Sequence, residues 1–456
     1  MWLITLGGCA VRLAVALTDD GLIYPDEVFQ SLEQAHRVLF GAGFVPWEFQ
    51  VGARPWVLPG LLMAPMALTG GALGPRVMLA LLSGLTAWAC ARLARSLGGS
   101  GTAELLAASF WALLNLGVLL GSRALGESAC TLPLVLGLAL AVKREATVRE
   151  VVIGSALVAL AVMLRLQVGV MALCLPGIWW WRGQRRLAVA SLLTLSAGAA
   201  LLAGLDWLTW GSPLQSVREY LRFNWVEGRA SQFGTQPLSY YPGRLFASLQ
   251  LVMLLGSALA LLGARRAVPV AVMTAAFITV HLAIAHKELR FLLPVLPLGG
   301  VLTALGVDAL REWKPQLGWA GAAAVVLALM LQPRVTSLSW SQLGISHATP
   351  DDAAFDDGGP ETRLLRAAGR LREVCGVELL EREVDSSGGY SALHRALPLF
   401  DASHPPANSA SVNAVIATRG TREGRELAVE GEHALVLLRE GCAPAPDFQA
   451  NWPLLF

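Results

Sequence analysis

From Trp2 to about Leu331 the chain keeps returning to apolar runs of membrane-span length. In hydrocarbon every backbone polar group must find its partner inside the protein, so such runs have to fold as helices or close into a barrel. Runs near 20 residues select helices. The candidate spans are roughly 2–18, 76–96, 103–121, 127–142, 150–164, 166–181, 187–206, 245–263, 268–285, 290–308 and 316–333, about eleven in all. Composition agrees: 55% of residues are hydrophobic and only 15% charged, against roughly 25% charged in soluble domains. The expectation is a polytopic α-helical membrane protein. The first run has no basic start, so it reads as a retained span.

Basic residues give the orientation. Arg92/Arg95, Lys143/Arg144/Arg149, Arg182/Arg185/Arg186, Arg265/Arg266 and Arg311/Lys314 all fall in turns on one side, which is therefore cytoplasmic. The other side holds Gly21–Trp56, "GSRALGE" (121–127), Arg165–Gln167, the long loop 206–244 and "HKELR" (286–290). The unusual polar clusters of the membrane part thus converge on one face, where ionisable groups at the boundary are site candidates.

The first outer loop begins "GLIYPDEVFQSLEQAHR". Pro25 suits the first turn of a helix, and Asp26 and Glu27 suit its positive end. At 3.6 residues per turn Asp26, Gln30, Glu33 and Arg37 share one face, while Val28, Leu32, Ala35 and Leu39 share the other. That pattern predicts an interfacial helix with its apolar side to the bilayer. Glu48, Arg54, Trp47 and Trp56 follow on a stretch broken by glycines and prolines. The tryptophans could serve there or act as belt anchors.

His286, Lys287 and Arg290 set three potential cations beside a lipid boundary, on the side where the positive-inside rule disfavours them. Such groups suit the phosphate of a lipid carrier; a snorkelling anchor is the plainer use. Arg123 and Glu127, four residues apart, could pair with each other or hold sugar hydroxyls. Asn224 and Tyr240 stand among the aromatics of the 206–244 loop, a mixture that suits carbohydrate and also resembles a belt. No P-loop, GxGxxG, HExxH or Gly-x-Ser-x-Gly arrangement is present, which argues against nucleotide handling and serine hydrolysis. A carboxylate acting as general base and cations on a departing phosphate together outline group transfer from a lipid phosphate. A transporter would place its charges near the bilayer midplane in paired repeats, and no internal repeat is visible.

"YPDEVFQSLEQAHRVLFGAGFVPWEFQVGARPW", "SRALGE", "DWLTWGSP" with "YLRFN", and "HKELRFLLPVLPL" together resemble glycosyltransferase family 22, the polyprenyl- or dolichyl-phosphate-mannose-dependent α-mannosyltransferases. The resemblance, over roughly residues 1–310, implies a GT-C fold and inverting transfer needing neither metal nor cofactor. The donor would be a polyprenyl-phosphate sugar, the acceptor a glycan or glycolipid, with membrane lipids but no nucleic acid as partners and a monomeric enzyme. The family's His-Pro-Asp-Glu places its acids on Asp26 and Glu27 as the catalytic pair, with Tyr24 standing where the family has His. Its Thr-Trp-Glu becomes Pro46-Trp47-Glu48, and its Arg-Ser becomes Arg54-Pro55. His286, Lys287 and Arg290 fall on the intact phosphate motif. Tyr24, Glu48, Arg54, Arg123, Glu127, Asn224 and Tyr240 are the expected substrate contacts. Three lysines among 35 basic residues and the wealth of Ala, Leu and Gly favour a GC-rich bacterial gene and a plasma membrane with an extracytoplasmic active site; a eukaryotic chain would instead lie in the endoplasmic reticulum membrane. Arabinose or glucose in place of mannose stays open, as does the acceptor.

The domain expectation is a membrane module over 1–333 with outer loops 19–57 and 206–244, an acidic linker over 334–362 and a small α/β domain over 363–456. In that last part a helix is expected over 363–375, with short apolar strands at "VELLE", "NAVIAT" and "HALVLLR". "SSGGYSALHRALPLF" between them reads as a structural turn. Cys9, Cys90, Cys130 and Cys174 lie in apolar runs as small buried side chains. Cys375 and Cys442 lie outside, where a disulfide is permitted and the sequence leaves the pairing open.

Overall fold

The structure is a computed structural model and describes residues 1–445, Phe448 and the backbone of Pro453 and Leu454. The chain forms two compact units, neither of them one continuous stretch. The first comprises Met1–Val15 and Leu79–Ala353, the second Ala16–Met78 and Ala354–Phe456. The first outer loop thus belongs with the C-terminal chain, whereas the sequence placed it in the membrane module. Local periodicity carries no signal for that grouping.

The first unit is helical. Among the described residues of the whole chain three helices are long and apolar enough to cross a membrane by themselves: Leu73–Ser96, Arg185–Trp210 and Leu289–Trp313. Two bent pairs raise the count to five, Gly101–Leu113 with Asn115–Gly121 (57°) and Tyr240–Leu249 with Leu251–Ala264 (117°). Six further apolar helices have 10–17 residues, Val57–Thr69 among them. Of the roughly eleven expected spans, 103–121 and 245–263 are these bent pairs, and Val57–Thr69 was passed over because Pro59, Gly60 and Pro65 interrupt its run.

The break at Leu114 shows how such a bend survives without water. Where the helix stops, the carbonyls of Trp111 and Ala112 accept from the guanidinium of Arg12 at 2.7 and 3.1 Å. The freed N–H groups turn to side chains: Asn115 donates to Gln332 Oε1 at 3.3 Å, and Leu116 to Asn115 Oδ1 at 2.6 Å. Arg12 is fully buried and gives its Nε–H to Ser83 Oγ at 2.9 Å. An arginine in the middle of the first span is thus spent on orphaned backbone, where leaving those groups unmade would cost several kcal/mol each in hydrocarbon. Elsewhere, helices Leu251–Ala264 and Leu296–Trp313 cross at Gly263 and Gly306. A Cβ on either would lie 1.9 Å from a carbonyl oxygen of the other helix, the small-residue contact by which membrane helices approach.

The second unit is built on a five-stranded mixed sheet. Its order is Leu399–Asp401, Val377–Leu379, Ala414–Thr418, His433–Leu437, Arg425–Glu430; the first three strands are parallel and the last two antiparallel additions. Val377–Leu379, Ala414–Thr418 and His433–Leu437 lie in the three apolar runs named above, and the helix is Gly359–Arg370. Arg425–Glu430 was missed because it is half-exposed and alternates weakly. Cys375 and Cys442 form a disulfide. The 363–456 domain of the sequence reading runs on into residues outside the described set.

Much of the acidic stretch read as a linker is structural. Asp356 N donates to Asp19 Oδ1 at 3.0 Å, Asp20 N to Asp356 Oδ1 at 2.8 Å and Leu22 N to the Asp357 carbonyl at 3.1 Å. Asp20 also pairs with Arg76 at 2.9 Å and Arg366 at 3.1 Å. Burial pushes the Asp20 carboxyl up, but these two arginines outweigh it and hold the group below its usual range.

Candidate active site

In the second unit the chain leaves its first helix and reaches Tyr24 in extended conformation. Pro25 then opens a helical turn, and Glu27 locks it: its Oε1 accepts the N–H of Ile23 at 2.8 Å and of Tyr24 at 3.1 Å. Glu27 and Tyr24 are buried, while Asp26 between them is partly exposed. Of the two expected catalytic acids, one therefore braces the backbone and the other is presented. A π-helical turn over Val28–Leu32 follows at once, a feature that often marks functional positions.

That turn also shifts the helical register, and the interfacial helix of the sequence reading is corrected accordingly. Val28, Leu32 and Ala35 are buried, and the helix packs on Val57–Thr69 and Gly389–Leu393. Glu33, expected on the watery face, has no exposed surface at all. Its carboxylate accepts the N–H groups of Phe44 (3.0 Å), Tyr390 (3.0 Å) and Ser391 (2.8 Å). Burial pushes it up to about 7 against the pull of those three donors. The "SSGGYSALHRALPLF" segment is thereby a structural anchor for the acid loop.

Beside Asp26 stands Glu48, also buried, accepting from Gln30 Nε2 at 2.6 Å and 3.9 Å from the Arg54 guanidinium. Burial raises Glu48 to about 7, with Arg54 opposing and the charge of Asp26 adding to the rise. The structure thus brings Asp26, Glu48 and Arg54 into one electrostatic group. Trp56 receives the Arg37 guanidinium over its ring at 5.3 Å and Phe49 edge-on.

In the first unit, Glu288 is the hub of the HKELR motif. It bridges His286 Nε2 (3.0 Å) and Arg290 Nε (2.5 Å). Burial alone would raise Glu288; the two cationic partners outweigh it and hold it down at about 2. Burial works against the charged form of His286 as well, yet Glu288 leaves its pKa raised. Lys287 donates to the carbonyls of Gln236 (2.9 Å) and Ile284 (2.6 Å), so it pins the 206–244 loop.

Arg165, which the sequence reading located without assigning, meets Glu127 Oε1 at 2.7 Å, and Arg290 lies 3.9 Å from the same oxygen. Both guanidiniums lie over the Phe291 ring, at 5.2 and 5.4 Å. Its signal was a lone arginine between two short apolar runs. Arg123 is buried in the turn before Glu127. Two expected contacts turn out to be engaged in the fold: Asn224 Nδ2 donates to the Tyr220 carbonyl at 2.8 Å, and Tyr240 Oη to that of Gly344 at 3.1 Å.

Gly126 makes the Glu127–Arg165 pair possible, since a Cβ there would lie 2.6 Å from the Leu164 carbonyl oxygen and 3.3 Å from Arg165 Cδ. Gly126→Ala is expected to force the two segments apart, at a cost of about 1–3 kcal/mol, and to lower turnover with it. A variant with unchanged melting temperature and rate would show that the close approach is unimportant.

A helical fold of this kind, with buried charge at one cluster and a presented acid at another, is that of an integral membrane glycosyltransferase of the GT-C class. The crystal structure of ArnT from Cupriavidus metallidurans bound to undecaprenyl phosphate matches with a TM-score of 0.62 over 97% of this chain and 98% of that one, at 12% identity, a likeness of fold. The chain belongs to the Alg9-like mannosyltransferase family, glycosyltransferase family 22, which matches residues 2–342. GPI mannosyltransferase 3 of Yarrowia lipolytica is 26% identical over 386 residues, 75% of this chain and 72% of that protein. GPI alpha-1,2-mannosyltransferase 3 of Bos taurus is 26% identical over 346 residues, 70% of this chain and 62% of that protein.

Proposed function

We propose that the protein transfers mannose, with inversion, from a polyprenyl-phosphate sugar to a glycan or glycolipid acceptor on the extracytoplasmic face of a bacterial plasma membrane. The observation that carries the donor reading is charge. Arg165 and Arg290 converge on Glu127 Oε1, and Glu288 holds Arg290 and His286, whose pKa it raises. Paired guanidiniums suit a phosphate, and one with a lipid tail suits a cluster at the end of apolar helices. The solved ArnT holds undecaprenyl phosphate, and the relatives' names concern GPI, which favours a glycolipid acceptor.

In this reading Asp26 takes the proton of the acceptor hydroxyl as that oxygen attacks C1 of the sugar. The bond from C1 to the phosphate oxygen breaks and its electron pair leaves with the phosphate, a charge that positive groups stabilise. Glu27 is a positioning residue that holds the turn. Displacement in one step inverts C1, as no second carboxylate is called on as nucleophile. Purified protein given polyprenyl-phosphate-mannose and glycolipid acceptors should release polyprenyl phosphate in step with mannosylated product. If polyprenyl-phosphate-arabinose or -glucose is used faster, the sugar assignment moves with it; inertness toward every lipid-linked sugar removes the reading.

A further inference from the structure

We infer that Tyr241 and Arg165 complete the phosphate subsite, and that Tyr241 donates a hydrogen bond to the phosphate that leaves; this rests on the lipid-phosphate donor reading. Tyr241 is 2% exposed; the backbone N–H of Glu288 approaches its oxygen as a donor, and among the described residues the O–H proton has no acceptor. A buried phenol ordinarily finds one. Its helix, Tyr240–Leu249, packs on the Leu289–Val295 turn that carries Arg290, and the helix of Glu127, Gly126–Ala141, packs on the same turn. Glu288 and Arg165 both act electrostatically on the Tyr241 hydroxyl, which places it within the cation cluster. The neighbouring phenol cannot serve, because Tyr240 Oη donates to Gly344. The packing therefore moves the substrate contact by one residue.

The chemistry gives the hydroxyl a specific task. The donor's phosphate is a diester with one negative charge. As the C1–O bond breaks, the bridging oxygen keeps the electron pair and the product is a monoester, whose second ionisation lies near pH 6. Arg165 and Arg290 supply fixed charge, and Tyr241 supplies one more donor for the oxygen that gains charge. The same O–H favours the released monoester over the diester, so it also sets how tightly the product is held.

The test measures binding of farnesyl phosphate, farnesol and inorganic phosphate to the full chain in detergent micelles by calorimetry. Tyr241→Phe keeps the ring and loses the hydroxyl. Its affinity for farnesyl phosphate should fall about tenfold, the scale of one hydrogen bond to a charged group, with melting temperature unchanged. Arg165→Lys keeps the charge, loses the planar fork and should weaken binding similarly. During turnover, Tyr241→Phe should raise the inhibition constant for polyprenyl phosphate more than the KM for donor. Farnesyl phosphate binding equally well to Tyr241→Phe and wild type overturns the inference, as does farnesol binding as tightly as farnesyl phosphate. Inorganic phosphate matching farnesyl phosphate would assign the subsite to the free anion and overturn the lipid source. If Tyr241→Phe loses affinity for farnesyl phosphate while wild type turns over no lipid-linked sugar, the subsite stands and the donor reading fails.

Discussion

Asp26→Asn is expected to lower the rate of sugar transfer by about 10²–10⁴-fold, the usual contribution of a positioned general base. The substitution is nearly isosteric and removes the carboxylate proposed to accept the proton. The turn itself should survive, because Glu27 holds Ile23 and Tyr24 through its own carboxylate. Melting temperature should be unchanged, and so should affinity for farnesyl phosphate, whose proposed contacts are made by other residues. The expected signature is a loss in kcat with KM for the donor retained, as for an interaction made in the transition state. Two controls separate this role from its neighbours. Glu27→Gln should act on stability first, since an amide oxygen accepts the two N–H groups more weakly than the carboxylate Oε1 that holds both, and its NH2 brings competing donors. Glu48→Gln keeps the hydrogen bond from Gln30 to a side-chain oxygen and should spare most of the rate. Transfer by Asp26→Asn at the wild-type rate would move the base elsewhere in the Asp26, Glu48 and Arg54 group.

What could be read from the sequence depended on whether the signal was local. The apolar runs marked most of the helices, and Asp26-Glu27 directly after Pro25 marked the helical turn that presents Asp26. The strands at "NAVIAT" and "HALVLLR" stood out because they are buried on both faces. Missed were features made by contacts between distant residues. Arg12 looks like an error in a span until the broken helix at Leu114 supplies carbonyls for it. Asp356 and Asp357 look like linker until residues 19–22 bind them. The helical wheel placed Glu33 correctly for an uninterrupted α-helix, but the π turn at Val28–Leu32 inserts extra backbone and turns it inward. The sequence could not rank Tyr240 against Tyr241, because adjacent residues on a helix face different neighbours and composition cannot separate them.

Glu33→Ala should have the largest effect on stability. One carboxylate satisfies three backbone N–H groups from segments as distant as Phe44 and Tyr390. Removing it leaves those donors buried and unmet, at about 1–3 kcal/mol each before relaxation, so a net loss of about 3–5 kcal/mol is expected. Hydrogen exchange should quicken first in peptides covering Phe44 and Tyr390–Ser391, and the melting temperature of the full chain in micelles should drop. Acidity supplies an independent check. Burial places the folded-state carboxyl at about 7, above the value near 4.3 of an unfolded glutamate. The folded state therefore holds this proton more tightly, and its contribution to stability is fully present below about pH 4 and declines as pH rises to about 7. Wild type should lose stability across that window by an increment that Glu33→Ala lacks. If both proteins show the same pH slope and the same exchange at Tyr390 and Ser391, Glu33 is not what joins the acid loop to the C-terminal chain.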